Sequence, residues 1–325
     1  MKIESSTAAL LLTATMALTM AVAAPHSAAQ TDARNAARVS TASNSAQSNS
    51  AQSNSQQGAA KKAPQAKSKA EFDAYQSAVA QTEAAKLEAS ATDFAQRFPA
   101  SALRPFLFQR AMGLYQQANN SGKTLEMARA ALKYDPANPV ALLGAAQILA
   151  DVTHEDDLDR DARLEEAGAD AQAALQHAGE LAPPAGLTAE QFESVIVELR
   201  GAAHEVLGTV AYKKHDYRNA IEEYNAAVAG EKQPIGPAVW LRLAAAHGKA
   251  GEYSLGIAAV EKAIAASEPG SPVRELAEKE NARLRLLASE AATSSVQTRP
   301  VQTRPVETGA AEKSAETSRS SAAGE

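Results

Sequence analysis

Two short stretches combine residue types that could bind a catalytic metal ion. The His-Glu pairs at 154–155 and 204–205 begin like the helical zinc-protease motif, in which two histidines four residues apart hold zinc and the glutamate acts as a base. Leu158 and Gly208 occupy the positions of the second histidine. Both motifs are therefore incomplete, and neither predicts a zinc site.

Carboxylates at alternate positions could instead bind calcium. The three aspartates within 157–161 have the spacing of a calcium-binding loop, but Ala162 and Gly168 replace the glycine and the closing glutamate that such a loop requires. A looser divalent-cation site in the acidic loop 151–161 stays open as an alternative to a solvated loop before a helix. Its candidate ligands are Asp151, Glu155, Asp156, Asp157, Asp159 and Asp161.

The sequence also contains no complete motif for phosphate binding and no residue for thiol chemistry. The run 122–124 ends like a phosphate-binding loop, but Gln117 stands where the first glycine of that loop belongs and no strand is predicted before it. The chain has no cysteine, which rules out disulfides, thiol catalysis and thiolate metal sites. We therefore predict no enzymatic activity, no catalytic residue, no metal and no cofactor.

The clearest pattern is a repeat, which occurs twice between residues 201 and 269 with a shift of 36 residues. Leu207 matches Leu243 and Tyr217 matches Tyr253, and each copy has two apolar stripes at helical spacing around a break that is long enough only for a turn. Each copy therefore predicts a helical hairpin. Small residues occur where the two helices must cross closely: Gly208, Ala220, Ala227, Ala244, Gly256 and Ala263.

The run 207–228, with the Trp240, Leu243 and Tyr253 of the next copy, resembles the tetratricopeptide repeat (TPR) family. The resemblance implies an all-α fold, a right-handed superhelical α-solenoid. It also implies a non-enzymatic scaffold that binds a protein or peptide in a concave groove lined by the first helix of each hairpin. The positions in this chain that match the groove are Gln109, Gln116, Gln117, Gln147, Asp151, Glu205, Thr209, Tyr212, Lys213 and Lys249, together with Val140, Leu143 and Leu241.

Other signals extend the solenoid to about five hairpins with a C-terminal capping helix. Hairpins are predicted at 70–99 and 104–136, and Asn138 with Pro139 marks the start of the next one. Thr188 and Gln191 form a capping box for a long helix. The final helix is predicted at 273–288, with a polar outer face on which four charged residues lie: Arg274, Glu275, Lys279 and Glu280.

The two ends of the chain differ from this body in composition. Residues 1–29 read as a cleaved signal peptide, because Lys2 precedes a short apolar run and small residues offer a cleavage site near Ala23 or Ala29. Residues 30–69 and 291–325 lack the apolar content needed to fold, which predicts a disordered linker rich in Ser, Asn and Gln and a disordered tail. The TPR-like body is then 70–290, in an exported protein that is periplasmic or secreted in a bacterial-type cell.

Charge separates the linker from the body. The whole chain carries −6, residues 30–69 carry +5 and the two termini are balanced, so the body carries −11. An acidic body argues against nucleic acid as a partner. The protein or peptide partner that the resemblance implies remains of unknown identity. A second interpretation is an envelope-associated structural protein tethered weakly by its basic leader.

Overall fold

The fold consists of helices that follow one another in hairpin pairs. The computed structural model describes residues 64–184, 186–229 and 235–297, and side chains as far as residue 293. The predicted signal peptide and most of the predicted linker and tail lie outside these residues. The helices of the described part are α1 (Lys69–Val79), α2 (Ala84–Arg97), α3 (Arg104–Gln117), α4 (Ser121–Leu132), α5 (Pro139–Val152), α6 (Arg160–His177), α7 (Ala189–Lys213), α8 (Tyr217–Val228), α9 (Pro237–Lys249), α10 (Tyr253–Ala266) and α11 (Pro272–Gln297).

Each helix packs on its neighbours in the chain. The pairs α1–α2, α3–α4, α5–α6, α7–α8 and α9–α10 form five hairpins, and α11 covers α10 and α9. The first helices of successive hairpins also touch, as α5 does with α7. The prediction of an all-α solenoid with five hairpins and a closing helix is therefore confirmed.

The predicted helix starts are confirmed in atomic detail. The Thr188 hydroxyl accepts a hydrogen bond from the backbone N–H of Gln191, whose side-chain oxygen accepts one from the backbone N–H of Thr188. The Asn138 side chain accepts from the backbone N–H of Ala141 at the start of α5. These bonds satisfy backbone donors that the first helical turn leaves unpaired.

Small residues allow the close helix crossings that the repeat predicts. A Cβ atom at Gly208 would lie 2.6 Å from the ring of Tyr224, which is itself 1% exposed. Val260 fills the corresponding space in the next hairpin and is fully buried. The apolar core runs along the stack as three successive clusters, one of which joins α7 to the hairpin α9–α10 and to α11.

The ends of the solenoid differ from the prediction. Helix α1 begins at Lys69 and is capped by Ser68, whose hydroxyl accepts from the backbone N–H of Glu71. The predicted boundary at residue 70 therefore falls inside the helix. Helix α11 continues to Gln297 rather than ending at 288, because the alanines and polar residues after 288 are compatible with a helix.

One residue of the predicted polar face of α11 lies on the opposite side. Glu275 and Lys279 are exposed as expected, but Glu280 is buried and pairs with Arg283 at 2.6 Å. The reason is the helical period, which places position 280 in line with the buried Ala277 and Leu284.

Candidate inner-wall binding surface

The side chains predicted to line a groove lie on the first helix of each hairpin. We call the surface formed by α1, α3, α5, α7 and α9 the inner wall. In its middle, α7 packs against both α5 and α9. Four charged side chains that are far apart in the sequence lie near one another there: Asp151, Glu205, Lys213 and Arg242.

Lys213 was predicted to line the groove, but its ammonium group binds backbone carbonyls of the protein itself. The Nζ atom donates to the carbonyl oxygen of Ala150, to that of Asp151 at 3.3 Å and to that of Thr153 at 2.7 Å. These carbonyls form the C-terminal end of α5, where helix carbonyls lack partners and a positive charge is favourable. Arg160 repeats the arrangement by donating to the carbonyl of Lys213 at the end of α7. Lys213 therefore joins two hairpins.

Glu205 likewise has a partner within the fold. Its carboxylate forms an ion pair with Arg242 that ties α7 to α9. Arg242 was absent from the predicted groove, which had Leu241 in its place. A signal was available in the sequence, because Arg242 lies seven residues, about two helical turns, before the predicted wall residue Lys249.

Of the two acids in this cluster, Asp151 and Glu205, only Asp151 has a carboxylate that accepts no hydrogen bond from the described residues. Burial raises the pKa of its carboxyl, while the charges of Arg242 and Lys213 pull the pKa down. No hydrogen bond reaches the carboxylate from the side chains or backbone of the described residues. It is therefore an acceptor that a partner could use.

Thr209 and Tyr212 are partly used by the core. The Thr209 hydroxyl donates to the carbonyl of Glu205 at 2.9 Å and lies 3.1 Å from the hydroxyl of the buried Tyr224. The Tyr212 ring packs edge-on against Tyr217 at 5.5 Å between centroids, and burial raises the pKa of its phenol. Both residues lie on the wall, and both also support packing.

The predicted glutamines and Lys249 are less engaged. Gln109 accepts a weak hydrogen bond of 3.4 Å from Asn138. Across the described residues, the other predicted wall members make no hydrogen bond with their side chains, and they range from partly buried to exposed. These are Gln116, Gln117, Gln147 and Lys249.

The acidic loop is held by arginines and a histidine. Arg163 lies 2.7 Å from Asp159 and 3.7 Å from Asp157, and His215 lies 3.0 Å from Glu155. Within the described ranges, no group of three or more His, Cys, Asp or Glu side chains is arranged to hold a metal ion. The geometry thus gives no support to the cation-binding alternative.

No helix among the described residues combines the length and the apolar character that crossing a membrane requires. The alternative of a basic leader that contacts the envelope concerns residues that lie mostly outside the described part of the chain.

Comparison with known proteins finds distant structural likeness only. No family model and no curated protein matches this chain. A tetratricopeptide repeat protein from Parabacteroides merdae is similar over 68% of this chain and 93% of its own, at 16% identity and a TM-score of 0.32. The assembly chaperone of RpL4 (Acl4) is similar over 68% and 99%, at 14% identity and a TM-score of 0.38.

The Cut9–Hcn1 hetero-tetramer of APC/C contains a chain that is similar over 72% of this chain and 46% of its own, at 17% identity and a TM-score of 0.31. Scores at this level carry no argument about function. The description of the fold as TPR-like rests on its own hairpins, with their small crossing residues, caps and short turns.

Proposed function

We propose that this chain is an exported, non-enzymatic scaffold that binds a protein or peptide partner along its inner wall. The observation that carries the proposal is a row of polar groups with unused hydrogen-bonding capacity on adjacent inner helices. Gln116 and Gln117 belong to α3, and Gln147 and Asp151 belong to α5. An amide side chain both donates and accepts, which suits the alternating N–H and C=O groups of an extended peptide.

The wall is also held in place before any partner arrives. The Glu205–Arg242 pair and the Lys213 contacts join three successive hairpins. A surface that is already ordered loses less conformational entropy on binding. This arrangement supports binding of a partner, and it assigns no role to a metal, cofactor or catalytic residue.

Residues 30–69 and the apolar run that follows Lys2 support the exported part of the proposal by composition. Deleting residues 2–29 should retain the protein in the cytoplasm of an expressing bacterium, whereas the full chain should be found in the periplasm or medium. Equal distribution of the two forms would contradict export by this segment.

The binding role is tested by capture from an envelope extract with the mature chain as bait. In the double variant Gln116→Ala with Gln147→Ala, binding of the partner should weaken by about 2 kcal/mol or more. The proposal places these amides near the centre of the interface, where truncation has its largest effect. The control is the double variant Glu222→Ala with Asn225→Ala on the outer helix α8. All three baits should melt at the same temperature.

Loss of capture in the outer variant alone would contradict the inner-wall proposal and point to the outer helices. Co-sedimentation of the mature chain with membranes, unchanged by either double variant, would favour the envelope-tethered alternative.

A further inference from the structure

The contacts between successive hairpins differ in how far their charged side chains are shielded from water. We number the hairpins 1 to 5 along the chain, from α1–α2 to α9–α10, and call the contact between two of them a joint. At joint 1–2, Glu88 of α2 is 22% exposed and accepts hydrogen bonds from Tyr115 and Lys123. At joint 4–5, the paired side chains of Glu205 and Arg242 are 17% and 33% exposed. Charged contacts of this kind are screened less than exposed ones and hold two helices more firmly.

Joint 3–4 is held by two cations that bind helix ends in opposite directions. Lys213 of α7 donates to carbonyl oxygens at the end of α5, among them that of Thr153 at 2.7 Å. Arg160 of α6, whose side chain is 17% exposed, donates to the carbonyl oxygen of Lys213. Each bond joins one hairpin to the other, and the carbonyls at a helix end attract a positive charge. The two hairpins therefore have a fixed relative position.

Joint 2–3 is held by weaker polar contacts. Its charged contact among the described residues is the ion pair between Arg129 of α4 and Glu166 of α6, at 2.7 Å, and both side chains are exposed, to 53% and 43%. Ion pairs that are open to water contribute little to stability. On the inner side, the amide of Asn138 lies 3.4 Å from that of Gln109, which is close to the upper limit for a hydrogen bond. Neither contact fixes the relative position of the two hairpins.

Apolar packing across joint 2–3 resists separation but not sliding. Leu125 and Leu132 of α4 and Val140 of α5 pack against both the first and the second core cluster. Contacts between apolar side chains have no preferred direction, so two packed helices can shift by a small amount and keep them. The segment that connects the hairpins is fixed at its start, where the ring of Tyr134 stacks on Phe108 of α3 at 5.7 Å between centroids. Rotation of hairpin 3 therefore falls on residues 135–138.

We propose that the solenoid bends at joint 2–3, where hairpins 1 and 2 move as one body relative to hairpins 3 to 5. Residues 135–138 act as the hinge, since a few loop residues suffice to absorb such a motion. The bend lies between α3 and α5 and changes the distance between the wall glutamines of these two helices, Gln116 and Gln117 on α3 and Gln147 on α5. Adjustment of the wall to a partner rests on the proposed function, whereas the bend itself does not.

The bend is tested by measuring distances between two nitroxide labels on the mature chain with pulsed electron paramagnetic resonance. The chain has no cysteine, so two introduced cysteines are the only labelled sites. Labels at Gln96→Cys and Gln172→Cys, on α2 and α6, span joints 1–2 and 2–3. Labels at Gln172→Cys and Ala258→Cys, on α6 and α10, span joints 3–4 and 4–5. All three positions are exposed on outer helices, and each labelled chain should keep the circular dichroism spectrum of the wild type.

The distance distribution of the first pair should be broader than that of the second by about 1.5-fold or more, because only the first pair spans joint 2–3. Equal widths, or a broader second distribution, would overturn the bend. The measurement contains no partner, so this outcome would leave the proposed function standing. Conversely, a broad first distribution together with unchanged capture by the Gln116 and Gln147 double variant would leave the bend standing and contradict the proposed function.

Two matched variants test whether shielded charged contacts restrict the joints. Lys213→Met removes the contact at joint 3–4 and should broaden the second distribution to the width of the first, which should itself stay unchanged. Arg129→Gln removes the exposed pair at joint 2–3 and should leave both widths as they are. A second distribution that stays narrow in Lys213→Met would overturn the proposal, and so would a marked broadening of the first distribution in Arg129→Gln.

Discussion

At the scale of single residues, burial and neighbouring charge decide which acids keep their protons. Asp170 on α6 is partly buried and lies near Glu166. Burial, followed by the charge of Glu166, raises the pKa of the Asp170 carboxyl to about 6, although Arg129 acts in the opposite direction. The unfolded chain has the ordinary value of about 3.9. Between these values the folded state binds more protons than the unfolded state.

Stability must therefore fall as pH rises from about 4 to about 6, since the folded state loses a proton that it holds more tightly than the unfolded chain does. Asp170→Asn removes this loss. We expect the variant to melt at a higher temperature than the wild type at neutral pH, and the gain to vanish near pH 4. Melting curves across this pH range, followed by circular dichroism, measure the difference.

The exposed Asp156 serves as the control for this substitution. Asp156→Asn removes one negative charge from the same acidic body without removing a buried carboxyl. A gain of equal size and equal pH dependence in the two variants would show that net charge, and not the burial of Asp170, is responsible.

At the scale of helices, the connection between hairpins depends on the ends of α5 and α7. Lys213 and Lys249 occupy the same place in successive copies of the repeat, two residues before the turn residues His215 and Gly251. Lys213 binds carbonyls at the end of α5, whereas Lys249 is exposed. Only the first therefore contributes to the joint between hairpins.

Lys213→Met should lower the free energy of unfolding by about 1–3 kcal/mol, because the carbonyls at the end of α5 lose a charged donor while the aliphatic part of the side chain is kept. Urea denaturation measures the change. The matched control Lys249→Met should stay within about 0.5 kcal/mol of the wild type. Similar losses in the two variants would mean that the α5 contacts of Lys213 are not stabilising.

At the scale of the whole molecule, the described residues form a stack whose first and last helices extend beyond the predicted body. Ala66 packs against the first core cluster, and the Lys67 ammonium donates to the carbonyl of Ala100 at 2.8 Å. Ser68 then caps α1. These residues belong to the folded body, although their composition resembles that of the linker.

A chain of residues 64–297 should therefore melt at the same temperature as a chain of residues 30–325, and one of residues 70–290 should melt at a lower temperature. Loss of the Ser68 cap alone costs about 0.5–2 kcal/mol. Differential scanning calorimetry of these three chains measures the melting temperatures. A fall of many degrees for 64–297 would show that a segment outside this range also packs on the body.

Sequence alone was sufficient to predict the hairpins and their order. Helical periodicity, the small residues that face Tyr224 and Val260, and the capping box at Thr188 act between residues that are close along the chain or within one hairpin. The local pattern therefore determines them. It also predicts which helices line the inner wall, because the repeat assigns the first helix of each hairpin to that surface.

Tertiary structure alone decided which wall residues are available to a partner. Lys213 and Lys249 have the same place in the repeat but different surroundings, because only Lys213 faces the end of a preceding helix that lies about sixty residues earlier in the chain. Arg110 and Arg242 also match in register, yet only Arg242 finds a carboxylate on the preceding inner helix. Such contacts join residues on different hairpins. Whether a charged side chain has a partner within the fold therefore depends on how the hairpins pack, which the sequence of a single repeat does not determine.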